Sequence, residues 1–216
     1  MRRLSFRLSL ALFVLSVGAL PLAAQRAPKI DVAIVPANAL VEGPAITSVG
    51  LLADPKTREH LRNGFPTRLH YRLDLWRKGG VFDDPVGRTE WDVLVRYEPT
   101  SNSYVVQRRS SDSQVLENFG GFESVTSADA QLAKPFKTAL HPNRSGKYYY
   151  DLVVDVQTLA ESDLDAALQW MRGTTTPGKN SNPLTLLGSG LETLVSRVLG
   201  GSTKSYRQPT GIFTVE

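Results

Sequence analysis

Between Arg68 and Trp76 the chain reads RLHYRLDLW, so that polar and apolar residues alternate. Successive side chains of a strand point to opposite faces. The alternation therefore collects four polar residues into one row, which we call the polar row: Arg68, His70, Arg72 and Asp74. A histidine between two arginines is a candidate general base or metal ligand, because its ring titrates near neutral pH and binds metals through either nitrogen.

The polar row also has a purely structural interpretation. Acidic residues of other predicted strands could pair with its arginines across a sheet, for about 0.2 to 1 kcal/mol per pair; they are Asp92, Glu98, Asp151 and Asp155. A metal site needs several converging ligands, whereas the three histidines fall in different predicted elements without a short spacing: His60, His70 and His141. We therefore predict a cross-strand ion ladder on a solvated face, and no metal site.

Other catalytic patterns are weak. Adjacent carboxylates at Asp83 and Asp84 point apart and precede a proline, which predicts a turn. Ser189 lies in LGSGLE, where Leu187 stands in place of the first glycine of a nucleophile elbow. We assign no catalytic residue and no cofactor. A general acid/base pair can still be assembled from residues that are distant in sequence, so a hydrolase stays open as an alternative.

The first residues have the layout of a secretory signal peptide. Three arginines precede an uncharged apolar run from Leu8 to Leu20, and Pro21 and small residues follow. The run is shorter than the roughly 20 residues of a membrane-spanning helix. We predict that residues 1–24 are removed and that the chain is exported to the periplasm or the extracellular space, with no membrane span left. An uncleaved anchor is the alternative.

Charge and cysteine content exclude further classes of function. Removal of residues 1–24 takes away three arginines and no acid, so the formal net charge falls from +4 to +1. A nearly neutral chain without a block of basic residues lacks the long-range field that would attract nucleic acid or an anionic membrane. The chain has no cysteine, which excludes disulfides, thiol catalysis and cysteine-based metal sites.

Short alternating segments joined by turns dominate the rest of the chain. They include AITSVGLLA, the polar-row stretch, RTEWDVLVRYE, YVVQRR and the segment around Tyr148 to Val156. DPKTREHLRNG predicts a helix with Asp54 as its N-cap, and TSADAQLA predicts another that Thr126 or Ser127 caps. We predict a mainly β protein whose residues 25–172 form an antiparallel β-sandwich, immunoglobulin-like or C2-like, with two or three short helices.

The C-terminal part contains a candidate docking face. Residues 173–183 have the composition of a linker, and residues 184–216 are predicted to form an amphipathic helix followed by a closing strand, GIFTV. Apolar residues recur on one side of this helix: Leu187, Leu191, Leu194 and Val198. We predict that the helix packs on the sandwich; contact with a membrane or a partner protein is the alternative.

The central part of the chain resembles a family of exported bacterial proteins. The similarity consists of Gly64-Phe65-Pro66 before the alternating strand, the turn Phe82-Asp83-Asp84, and a strand ending in Tyr97 that leads through PTSNS to Tyr104. In this order the motifs are similar to those of the family called domain of unknown function 4390, over roughly residues 47–158. The family usually has tryptophan in place of Phe82. The resemblance implies an exported, mostly β domain without an assigned activity.

These observations predict an exported cell-envelope β-domain that acts as a non-catalytic binding or assembly module, with another envelope protein as a candidate partner. An extracytoplasmic hydrolase is one alternative. A carrier of an apolar ligand is another, because aromatic residues at alternating strand positions could line a pocket instead of a core: Trp76, Trp91, Tyr97, Tyr104, Tyr148 and Tyr150. The sequence does not specify an oligomeric state.

Overall fold

The computed structural model describes residues 27–110, 116–159 and 203–216. Strands account for 53% of them, so the protein is mainly β, as predicted. The described residues form ten strands: β1 Lys29–Ala33, β2 Ala45–Val49, β3 Thr67–Arg77, β4 Asp84–Glu98, β5 Ser103–Ser110, β6 Leu116–Phe122, β7 Phe136–Lys137, β8 Gly146–Thr158, β9 Lys204–Pro209 and β10 Phe213–Val215. They also form two α-helices, α1 Pro55–Arg62 and α2 Val125–Leu132, and one 3-10 turn, Pro36–Asn38.

The strands form two antiparallel sheets, neither of which is closed. The small sheet has the order β1-β2-β7, and the large sheet has the order β10-β8-β3-β4-β5-β6. Strand β9 pairs with the C-terminal half of β8, along the edge whose N-terminal end pairs with β10. The polar-row strand β3 therefore lies inside the large sheet, between β4 and β8.

One hydrophobic core joins the two sheets. The residues of β3 that alternate with the polar row are buried in it: Leu69, Tyr71, Leu73 and Leu75. Ile30 and Ile46 of the small sheet belong to the same cluster, as do Leu61 of α1 and Ala128 of α2. The small sheet and both helices thus lie on the apolar face of the large sheet, and the polar row lies on its other face.

Side-chain caps start both helices. Asp54 accepts a hydrogen bond of 3.1 Å from the Thr57 amide, and Pro55 begins α1, as its sequence pattern indicates. The cap that we predicted for α2 is wrong. Ser124 is the N-cap and forms a capping box with Ser127, because a serine followed three residues later by a second hydroxyl can satisfy amides in both directions.

Three strands are not predicted by the alternation of polar and apolar residues. Strand β6 contains Gly120 with φ of +90° and pairs irregularly with β5, which interrupts its pattern. Strand β7 has two residues, and β9 is polar and largely exposed. The predicted turn at Asp83-Asp84-Pro85 is shorter than expected, because Asp84 already begins β4.

Several predicted segments lie outside the described residues. These are the signal peptide 1–24, the linker 173–183 and the C-terminal helix with Leu187, Leu191, Leu194 and Val198. The segment GIFTV is described, and its last three residues form β10 at the edge of the large sheet. Within the described ranges, no helix is sufficiently long and apolar to span a membrane.

Candidate functional site

The structure places all four polar-row residues on the face of β3 that is turned away from the core, and register brings charged residues of neighbouring strands beside them. His70 lies opposite Asp92 of β4 and Asp155 of β8. Asp74 lies opposite Arg88 and Asp151. Each polar-row residue thus has neighbours on both sides in the same sheet, which is the geometry that cross-strand ion pairs require.

Asp92 is the centre of the first cluster. Its two carboxylate oxygens accept hydrogen bonds from Arg68 Nε at 2.8 Å and Arg68 Nη2 at 3.0 Å. The ring Nδ1 of His70 lies 2.9 Å from Oδ1 of the same carboxylate. The side chains of Arg68 and Asp92 are only 10% and 13% exposed. This is a bidentate arginine–carboxylate ion pair, the strongest common form.

The ionisation of Asp92 reflects this environment. Burial alone would raise the pKa of its carboxyl group, but Arg68 and the hydrogen bond from His70 outweigh burial and hold the pKa below its usual value. Asp92 is therefore an anion at neutral pH. An anionic carboxylate accepts protons in hydrogen bonds and donates none, so Nδ1 of His70 carries the proton in this contact.

Asp74 is the centre of the second cluster. One of its oxygens accepts a hydrogen bond from Arg88 Nε at 2.5 Å, and the other lies 3.4 Å from Arg72 Nε. The bond to Asp74 raises the pKa of Arg88 above its ordinary value. The carboxylate of Asp74 is 10% exposed, whereas the side chains of Arg72 and Arg88 are 40% and 53% exposed. The carboxylate is thus buried, and the arginine side chains beside it are partly exposed.

Asp151 forms a third pair, which the sequence did not reveal. We predicted a solvated face for the ladder and its acidic partners, and for Asp151, as for Arg68 and Asp74, this is wrong. Its residue is 8% exposed, and its carboxylate accepts hydrogen bonds from Nε and Nη2 of Arg207 at 2.9 Å and 2.7 Å. Arg207 lies on β9, a strand that the sequence pattern does not predict.

The predicted ladder and the observed one differ in their pairs. Arg68 is bound by Asp92, one of the four expected partners. Arg72 instead lies beside Asp74 of its own strand, with its Nε 3.4 Å from the carboxylate and without a hydrogen bond, and Glu98 binds Arg96. Asp155 is half-buried and forms no ion pair within the described ranges. We call the linked charges around Asp92, Asp74 and Asp151 the ion network.

The chemistry available to His70 is limited by its neighbours. A carboxylate that holds Nδ1 of an imidazole leaves Nε2 as the acceptor, which is the arrangement of a general base. In the described part of the chain, however, the contacts of this ring are with Asp92 and Arg68. His60 instead lies edge-on to Phe65, and Nδ1 of His141 lies 2.9 Å from the carbonyl oxygen of Pro142. Among all residues that the structure describes, no three or more His, Asp or Glu side chains form a group that could hold a metal ion.

The aromatic residues that could have lined a ligand pocket contribute mainly to the core. Trp91, Tyr104, Tyr148 and Tyr150 are buried. The Trp91 ring stacks on Tyr71 with centroids 4.9 Å apart, and the Tyr150 ring stacks on Phe213 at 5.6 Å. The other two members of the set, Trp76 and Tyr97, are half-buried.

Comparison with known proteins adds no further assignment. No family model, curated protein or solved structure matches the chain. The similarity to domain of unknown function 4390 therefore stays a prediction from the sequence motifs.

Proposed function

We propose that this chain is an exported β-domain of the cell envelope that acts as a non-catalytic binding or assembly module. The proposal depends on one observation: arginine side chains contact the carboxylates that lie on the polar-row face of the large sheet. Asp74, Asp92 and Asp151 each contact at least one guanidinium group. Ion pairs of this kind stabilise a sheet, and they engage these carboxylates with arginine side chains of the domain itself.

The proposal includes a finer architecture. The core that the two sheets share supports an antiparallel sandwich of the immunoglobulin-like or C2-like type. We also propose, from the sequence, that residues 173–183 form a linker and that the helix of residues 184–199 packs on the domain through its apolar stripe. Membership of the family called domain of unknown function 4390 is part of the same proposal.

A hydrolase is the second candidate, and one observation favours it. The contact of 2.9 Å between His70 and Asp92 would orient an imidazole for proton transfer. Arg68 opposes this role, because its guanidinium group already occupies both oxygens of the same carboxylate through two hydrogen bonds.

Turnover by the exported protein separates the two candidates. Ester, peptide and phosphate-ester substrates would be tested with the unmodified protein and with His70→Gln. We expect rates at the buffer background for both proteins. Hydrolysis by the unmodified protein that His70→Gln abolishes, without a change in its circular dichroism, would establish the hydrolase and contradict the proposal.

Export is tested separately by mass spectrometry of protein recovered from the cell envelope. We expect a mature N-terminus within a few residues of Gln25. An intact Met1 on protein that remains embedded in the membrane would instead support the uncleaved anchor.

A further inference from the structure

Exposed hydrophobic side chains concentrate at one end of the domain. The three most exposed are Val81 at 88%, Phe82 at 83% and Val41 at 73%. Val81 and Phe82 lie in the β3–β4 hairpin loop, and Val41 lies in the β1–β2 loop with Val35 and Leu40, which are also exposed. We call these five residues the apolar end.

Strand register places the two loops at the same end of the domain. Arg77 closes the β3–β4 hairpin opposite Asp84 and also pairs with Tyr148, which in turn pairs with Phe213 of β10. The 3-10 turn of the β1–β2 loop contacts β10. Val49, another exposed valine, lies at the opposite end of β2, next to the first residue of β1.

Polar contacts hold the hairpin loop so that its apolar residues face outward. Asp83 accepts hydrogen bonds from the Gly79 amide at 3.2 Å and from the Tyr149 hydroxyl at 3.0 Å. Its carboxylate also lies 3.1 Å from Lys78 Nζ. A Cβ atom at Gly79 would stand 1.8 Å from the carbonyl oxygen of Phe82, so the loop requires glycine there. The exposure of Val81 and Phe82 is therefore built into a braced loop.

We propose that the apolar end inserts into the interfacial region of a membrane that carries anionic lipids. Exposed apolar side chains flanked by cations are the features that such binding uses. The cations are Arg144 and Lys147, which are exposed and form no ion pair in the described part of the chain. Lys147 is adjacent to the hairpin, because its carbonyl oxygen accepts the Lys78 amide at 2.8 Å.

Shape favours a lipid surface over a protein partner. A stable protein interface buries about 800 Å² on each partner in a closely packed, complementary surface, whereas the apolar end consists of five side chains divided between two loops, only one of them aromatic. Two loops with exposed apolar side chains can enter a deformable lipid surface without shape complementarity. The inference names the surface and the binding partner of the module, and it rests on the proposed export and cleavage of the chain.

The direction of β1 gives this inference a further consequence. The strand starts at Lys29, opposite Val49, and runs toward the β1–β2 loop of the apolar end. The chain before Lys29 therefore enters at the end of β1 that is distant from the apolar end. An uncleaved N-terminal anchor would attach at that distant end, so the cleaved protein is the form to test for docking through Phe82.

Vesicle binding tests the inference with the protein in its exported form. Sedimentation with phosphatidylglycerol–phosphatidylethanolamine vesicles should show binding that Phe82→Ser weakens about tenfold. The matched control Val49→Ser removes an exposed apolar side chain from the other end and should change binding less than twofold. Arg144→Gln and Lys147→Gln should each weaken binding to these vesicles about fivefold, with little effect on phosphatidylcholine vesicles.

A fluorescent label provides a second readout that leaves Phe82 in place. The chain has no cysteine, so Val81→Cys and Val49→Cys can each carry a single nitrobenzoxadiazole group. Vesicles should shift the emission of the first label to the blue and leave the second unchanged. Absence of vesicle binding, or equal shifts at both positions, would overturn the inference. A photo-cross-link from position 82 to an envelope protein, without vesicle binding, would also overturn the membrane inference. The proposed function as a binding module would still hold in that case.

Discussion

Asp92→Asn tests whether the ion network stabilises the fold. The substitution keeps the shape of the side chain and removes the charge that Arg68 binds through two hydrogen bonds of 2.8 and 3.0 Å. Because Arg68 and Asp92 are 10% and 13% exposed, the guanidinium group would remain largely buried without its counter-ion. Loss of one partner of a buried pair costs about 3 to 5 kcal/mol. Asparagine can still accept one hydrogen bond, so we expect about 3 kcal/mol.

A matched control comes from an exposed pair of the same protein. Lys137 and Glu42 lie 3.1 Å apart, and their side chains are 70% and 47% exposed. Such a pair contributes about 0 to 1 kcal/mol, so Glu42→Gln should barely change the free energy of unfolding. The contrast between the two substitutions separates the effect of burial from the effect of removing any carboxylate.

Urea denaturation followed by circular dichroism measures both effects. A double-mutant cycle with Arg68→Gln should give a coupling free energy between Arg68 and Asp92 of at least about 1.5 kcal/mol. A loss below 1 kcal/mol for Asp92→Asn, equal to that of Glu42→Gln, would refute the structural role of the network. So would a coupling free energy indistinguishable from zero.

Three further predictions concern pH, a tertiary contact and the C-terminal helix. The pKa of Asp92 is lowered in the folded state, so its contribution to stability should be complete above the unfolded pKa of about 3.9 and disappear as the pH falls through the lower folded value. The difference in unfolding free energy between the native protein and Asp92→Asn should therefore shrink in acid. A difference that does not change with pH would contradict this prediction. Asp129 accepts hydrogen bonds from the amides of Gly50 and Leu52 at 2.7 and 3.0 Å. Asp129→Ala should therefore lower the free energy of unfolding by about 2 kcal/mol and speed hydrogen exchange at both amides. Unchanged exchange would show that the contact is dispensable. Leu194→Ala should cost about 2 to 5 kcal/mol if the helix of residues 184–199 packs on the domain, whereas an unchanged thermal midpoint would assign its apolar stripe to a partner.

The elements that local patterns define could be predicted from the sequence. Alternation identified β3 and separated its polar row from Leu69 and Tyr71, and the Asp54 cap with Pro55 identified α1. Strand β9 could not be found in this way, because KSYRQP has little apolar alternation and pairs with β8 from about fifty residues away.

The sequence predicts which charged residues form the candidate site, but not which of them pair. The sequence shows which charges share the face of β3, but their partners depend on strand order. Asp151 is buried because Arg207, 56 residues later, folds over it. The exposure of Phe82 depends on the contacts of Asp83 with Gly79 and Tyr149, and in the sequence an aromatic residue beside an alternating strand looks the same as a core residue.

In-cell photo-cross-linking tests the central claim, that this chain is a binding module of the envelope, most directly. A photoreactive residue would be placed at position 81, at position 49, and at position 81 in protein that also carries His70→Gln. We predict covalent products with an envelope component from position 81, few from position 49, and no change with His70→Gln. Equal yields from positions 81 and 49 would contradict only the apolar end as the binding surface. Absence of products from both positions, or products that His70→Gln abolishes while the fold is retained, would contradict the claim.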